Sequence, residues 1–117
     1  MDPTIEKKFD DEIIEFQKAK YNLSTAQTAK LNEVANNLIK NDELTIEVIG
    51  HRDWTENVLK DLSYKRANQV AKYLVSRGID KERMTISDAG STEAYEDDYS
   101  SKEMQAKNMT VEVVFSE

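Results

Sequence analysis

Apolar residues recur at helical spacing from Leu31 through Val34 to Leu38 and Ile39, and Ser24 or Thr25 stands ahead of them as a helix cap. The pattern predicts a helix closing near Lys40, with Asn41-Asp42 as its break. Leu44-Thr45-Ile46-Glu47-Val48-Ile49 then alternates and is β-branched, a strand expected to stop at Gly50. After a polar turn, Ser63 is placed to cap a second helix. Its apolar face is Ala67, Val70, Ala71 and Leu74, and Gly78 after Arg77 is its stop. Arg83 to Ser87 reads as a short strand, followed by a polar stretch from Asp88 to Lys107 with a helical turn around Lys102 to Ala106. Thr110 to Phe115 alternates again and sets Val111, Val113 and Phe115 on one face of a last strand.

The opening of the chain carries two patterns. Ile5, Phe9, Ile13 and Phe16 share one helical face, whereas Ile14 and Phe16 share one strand face. A short helix followed by a strand near Ile13 to Phe16 satisfies both. The order is then β-α-β-α-β-β. Strands joined through helices of this length run parallel by crossover connections. The expected fold is an α/β (α+β) two-layer sandwich, a mixed sheet with its helices packed on one face. A chain of 117 residues makes one domain over 1–117, or one preceded by an N-terminal extension over 1–12.

Charge and composition narrow the function classes. The formal charge of −7 opposes any gain of affinity from neutralising phosphates, which disfavours nucleic acid and anionic lipid as partners. The absence of cysteine removes disulfides, thiolate zinc sites and cysteine nucleophiles. No apolar run approaches the length of a membrane span, so any membrane attachment is expected through segments outside this chain. The start at Met1 without a leader fits a cytoplasmic protein or a piece of a longer exported one.

The informative stretch is Gly50-His51-Arg52-Asp53, then Leu62-Ser63-Tyr64-Lys65-Arg66-Ala67. It resembles the OmpA-like family signature, in which GHTD ends a strand and N-x-x-L-S-x-x-R-A opens a helix after a polar loop. The likeness extends outward to Ile14-Glu15-Phe16, to Leu31 through Leu38, to Gly78-Ile79 and to Asn108 through Val113, the place of the family's closing N-R-R-V-E strand.

The same residues have a chemistry of their own. With Ser63 as cap, Arg66 falls in the first turn of the helix, where its guanidinium and free backbone N–H groups suit a carboxylate. Asp53 lies past the end of a strand, where a carboxylate can hold an ammonium group. Together they make a receptor for a zwitterionic amino-acid head; the bland alternative is that the two charges only pair with each other.

The resemblance implies which head: the free end of diaminopimelate in a peptidoglycan stem peptide, with Asp53 and Arg66 in the family's ligand-holding positions. Arg52, Trp54, Asn57 and Asn108 border the same place and complete the expected ligand-binding set. Asp53→Ala and Arg66→Ala are each expected to end wall binding with the fold intact. The resemblance also implies a periplasmic domain of an outer-membrane or otherwise envelope-anchored protein, with envelope proteins as further partners.

The chain departs from the family pattern in several places. Leu59 stands where the family has asparagine, Met109 and Thr110 replace the arginine pair, and Arg52 replaces the threonine of GHTD. The loop between Asp53 and Leu62 is about two residues shorter than the usual form. Each lost charged hydrogen bond costs on the order of 1.5–3 kcal/mol. The alternative function is therefore a protein-interaction or assembly module that ignores the wall.

Other candidates are weaker. His51, the sole histidine, has no second histidine or cysteine to build a metal site, and a structural hydrogen bond suits it better. Tyr64 fits the helix surface or the rim of the crevice. The Glu96-Asp97-Asp98 run lacks the spacing of a calcium loop and reads as a solvated loop flanked by Tyr95 and Tyr99. No nucleophile–base pair and no glycine-rich phosphate loop is present, so no enzyme, cofactor or metal is expected.

Overall fold

A computed structural model describes residues 9–56, 58–92 and 107–117, without the side chains of Trp54 and Thr92. Among these residues four strands and two long helices alternate as expected: β1 (Glu12–Glu15), α1 (Thr25–Lys40), β2 (Thr45–Asp53), α2 (Leu62–Ser76), β3 (Met84–Thr92) and β4 (Thr110–Ser116). Short 3-10 turns follow β2 at Trp54–Glu56 and precede β3 at Lys81–Arg83. The sheet order is β1-β4-β2-β3; β4 runs antiparallel to both β1 and β2, and β2 runs parallel to β3.

Both helices lie on one face of this mixed sheet and enclose the core. From α1 come Leu31, Val34, Ala35 and Leu38, and from α2 Ala67, Val70 and Leu74. They meet Ile14, Ile46, Val48, Val111 and Val113 of the strands. Each of these valines, leucines and isoleucines, fully buried, contributes about 1.5–3 kcal/mol, so this interface dominates the stability. Tyr73 Oη donates to Asn32 Oδ1 at 2.7 Å and ties the two helices together.

The strand pattern governs the opening. Ile14 and Phe16 are buried while Ile13 turns to the open face of the sheet. Phe9 packs on the Phe115 ring at 5.5 Å and is not helical. The expected helix before it falls mainly on residues outside those described, as does the turn expected around Lys102 to Ala106. Ile39, grouped with the α1 core face by its spacing, is instead 53% exposed.

Two expected boundaries move in ways that shape the site. β2 does not stop at Gly50. It continues to Asp53 because β3 also runs further, through Ser91 and Thr92, and pairs with it after a shift of register between Gly50 and His51. Nor does Ser63 cap α2. The cap is Asp61, whose carbonyl accepts from Lys65 N–H at 2.9 Å, and Ser63 is the second residue of the helix. Its hydroxyl donates to Asp88 Oδ1 at 2.6 Å. The far end of α2 agrees with the sequence: Gly78 takes φ 95°, and Ile79 N–H and Gly78 N–H reach the carbonyls of Leu74 and Val75, a Schellman closure.

Candidate functional site

Gly50 sets how close α2 approaches β2. A β-carbon at this position would lie 1.9 Å from the Ser63 carbonyl oxygen, so only glycine lets the start of α2 rest on the strand. That contact brings Arg66, on α2, beside the last residues of β2.

Because Asp61 is the cap, Arg66 sits in the second turn of α2, not the first. Its guanidinium turns away from the helix's free N–H groups and into the molecule. It is fully buried, and it makes five hydrogen bonds. Nε donates to Lys20 O at 2.8 Å, Nη1 to His51 O at 3.1 Å and Nη2 to Gln17 O at 3.1 Å. The remaining two bonds run in parallel to Glu56, from Nη1 to Oε1 at 2.9 Å and from Nη2 to Oε2 at 2.7 Å. The Phe16 ring lies 5.4 Å from the guanidinium carbon and covers it. With this many ties, Arg66→Ala is no longer expected to leave the fold intact.

Glu56 is equally enclosed, at 1% exposure. Besides the guanidinium, its Oε1 accepts from Asp53 N–H at 2.9 Å and its Oε2 from Ala19 N–H at 2.7 Å. Ala19 presents that N–H from a left-handed backbone, φ 63°, unusual for a residue with a β-carbon.

Asp53 does not pair with Arg66. The two meet on a third group, since the Asp53 N–H and Arg66 Nη1 hold the same oxygen, Glu56 Oε1. The Asp53 carboxylate is buried. Its Oδ2 accepts from Thr55 N–H at 2.8 Å and from the Thr55 hydroxyl, and its Oδ1 accepts from Asn108 Nδ2 at 2.8 Å. Burial raises its pKa. The bonds from the Thr55 hydroxyl, Asn108 and the Thr55 backbone, with the charge of Lys18, together outweigh that and leave it below the ordinary aspartate value.

The other expected site residues spread around this cluster. Asn108 is 3% exposed, and its buried Oδ1 has no hydrogen-bond partner among the described residues. Arg52 Nη1 donates to Ser63 Oγ at 2.9 Å and Lys60 O at 3.2 Å, which braces the β2–α2 loop. Trp54 opens the 3-10 turn; its side chain and the whole of Asn57 lie outside the described residues. The acidic run from Glu96 to Asp98, with Tyr95 and Tyr99, lies outside them too. His51 forms a structural contact, its Nε2 2.9 Å from Glu112 Oε1 on the open face of the sheet.

Where the family pattern is broken, Met109 and Thr110 are buried, whereas Leu59 is exposed on the loop beside Val58. Besides a cleft of about 560 Å³ lined by Phe16, Gln17 and Lys20 among others, two smaller clefts border the cluster among the described residues. One, of about 310 Å³, is lined by His51, Lys107, Asn108, Thr110 and Glu112 among others; the second, of about 290 Å³, is lined by Ala19, Tyr21, Leu59, Lys60 and Lys65 among others. Among the described residues no group of three or more His, Asp or Glu could hold a metal ion, and no helix is long and apolar enough to cross a membrane.

Sequence reasoning missed Glu56, Thr55 and Ala19. The available signal was the shortened loop, which places an acidic side chain only three residues after Asp53, close enough to turn back on the strand end.

Comparisons with known proteins place the fold. The C-terminal domain of Helicobacter pylori MotB superposes with a TM-score of 0.78 at 25% identity, over 91% of this chain and 84% of that one. A longer crystal structure of the MotB periplasmic domain gives 0.73 at 26%, over 88% and 70%. The peptidoglycan-associated lipoprotein of Burkholderia pseudomallei shares the fold, with a TM-score of 0.76 at 21% identity, over 89% of both chains. No curated protein matches the chain in sequence. The OmpA family model matches residues 15–109, most of the chain's length, and this chain belongs to the OmpA family.

Proposed function

We propose that this domain attaches non-covalently to peptidoglycan by taking the diaminopimelate-type end of a stem peptide between the end of β2 and the start of α2. One observation carries the reading: Asp53 and Arg66 converge within hydrogen-bond reach of a single carboxylate oxygen, that of Glu56. The guanidinium already grips a carboxylate with two parallel bonds, the geometry a ligand carboxylate would require. Asp53 serves the ammonium end, and Arg52 and Asn108 border the ligand. Lys60 and Lys65 beside the cleft over Ala19 supply local positive charge to a chain that is acidic overall. Family membership and the likeness to a peptidoglycan-associated lipoprotein support the reading. On this reading the domain is a binding module of a periplasmic, envelope-anchored protein. Its membrane attachment lies in segments outside this chain.

Titration of a diaminopimelate-containing stem peptide into isotope-labelled protein tests it. Amides between 51 and 66 and that of Asn108 are expected to shift at millimolar peptide, and Asp53→Ala is expected to end co-sedimentation with sacculi. Unmoved amides together with unbound sacculi would overturn it.

One observation favours a second reading, an assembly module that binds protein. Val58 is 88% exposed, and Leu59 and Tyr21 are exposed beside it, an apolar rim that suits a protein surface better than a sugar–peptide mesh. Under this reading sacculi are ignored, and Val58→Asp ends capture of an envelope protein.

A further inference from the structure

We infer that Glu56 is a tethered ligand: a carboxylate receptor made of the Ala19 N–H, the Asp53 N–H and both Nη atoms of Arg66 is complete without it, and Glu56 fills that receptor from within. The receptor does not depend on its occupant for shape. The Arg66 guanidinium is held independently by the carbonyls of Gln17, Lys20 and His51 and by the Phe16 ring. The Asp53 N–H is fixed by the β2–β3 pairing at Asp53 and Thr92. The Ala19 N–H comes from a turn in which Lys20 N–H donates to Gln17 O at 3.0 Å.

Glu56, by contrast, enters from a three-residue turn at the head of the short loop that carries exposed Val58 and Leu59. Four donors aimed at two oxygens are what a bound carboxylate needs, and each Glu56 oxygen receives one guanidinium and one backbone N–H. A free carboxylate can therefore take this place only by displacing one already present at very high effective concentration. Glu56 sets the affinity and selectivity of the site: weak monocarboxylates are excluded, and only a ligand with additional contacts competes.

The consequence for the wall rests on the peptidoglycan reading above; the receptor itself does not. Glu56→Ala and Glu56→Gln separate the two. Sodium formate and sodium acetate are the probes, with sodium chloride at equal ionic strength as the control. Glu56→Ala is expected to gain a saturable rise in melting temperature with formate, accompanied by shifts of the Ala19 and Asp53 amides, while the unsubstituted chain responds to neither salt beyond the chloride control. If Glu56→Ala is unfolded alone, formate-dependent folding is the corresponding positive result.

Glu56→Gln keeps the side-chain volume but turns an NH2 toward donors it cannot satisfy, so it too is expected to respond to formate. Indifference of both variants to formate and acetate overturns the proposal. A diaminopimelate-containing stem peptide is expected to bind Glu56→Ala at least tenfold more tightly than the unsubstituted chain. Formate binding without peptide binding overturns the wall reading and leaves the tethered carboxylate standing.

Discussion

Arg66 and Glu56 form a two-pronged ion pair in which neither side chain reaches solvent. Such a pair contributes little net stability relative to an apolar pair of the same volume, but removing one partner leaves a buried charge uncompensated. Arg66→Leu is expected to lose about 3–5 kcal/mol, a large share of the total for a domain of this size, and to strand the carbonyls of Gln17, Lys20 and His51 as well. The double substitution Glu56→Leu with Arg66→Leu is expected to lose less than the losses of Glu56→Leu and Arg66→Leu added together. Urea unfolding of the two single variants and the double variant measures this coupling directly.

Gly50→Ala tests the close approach of α2 to β2. The added methyl group meets a backbone carbonyl, which cannot swing aside as a side chain would. The expected loss is about 2–3 kcal/mol, at the upper end for overpacking. Movement of α2 would also draw Arg66 away from Glu56, visible as shifts of the Ala19 and Asp53 amides. An unchanged urea midpoint would contradict the contact.

The Asp53 carboxyl gives a defined pH dependence. Its pKa is lower in the folded chain than the ordinary aspartate value of about 3.9. Its stabilising contribution is therefore fully present above that ordinary value and is lost as pH falls through the folded one. Thr55→Val removes the hydroxyl bond and is expected to cost about 1.5–3 kcal/mol at pH 7. The difference from the unsubstituted chain is expected to shrink as pH falls from the ordinary aspartate value through the lower folded one, because the hydroxyl bond acts on the charged carboxylate. Urea midpoints between pH 2 and 7 report it; a constant difference across that range would mean the hydroxyl does not act on the charged form.

Ala19 holds a left-handed backbone that costs about 1–2 kcal/mol for a residue with a β-carbon. Ala19→Gly relieves this but adds freedom to the unfolded chain, so the expected net gain is roughly 0.5–1 kcal/mol. Thermal melting detects a change of this size. A loss of stability would show that the Ala19 methyl packs more productively than its backbone angle suggests.

The regular parts of the fold were legible because one periodicity governs each of them. Leu31, Val34 and Leu38 mark α1 from cap to break, and Val111, Val113 and Phe115 mark β4. The site was legible as a place but not as an arrangement. Gly50 reads as a strand stop from sequence, yet it is a glycine because a helix lies on it and the strand runs past. Ser63 looks like a cap because serine so often is one, while Asp61, two residues earlier, takes the role and Ser63 turns to Asp88. Glu56 is one of 23 acidic residues, marked only by its place three residues after Asp53 in a shortened loop, and its importance comes from a tertiary fit that no local pattern encodes.

The outer edge of β1 carries one more consequence. Its two outward carbonyls, Ile13 O and Glu15 O, accept from Lys30 Nζ and Gln27 Nε2, side chains that reach across from α1. A foreign strand arriving there finds its natural acceptors already occupied, and must strip a lysine and a glutamine away before it can zip on. The helix that seals the core thus also guards that flank, and the domain can crowd against its own kind without seeding a continuous ribbon along that side.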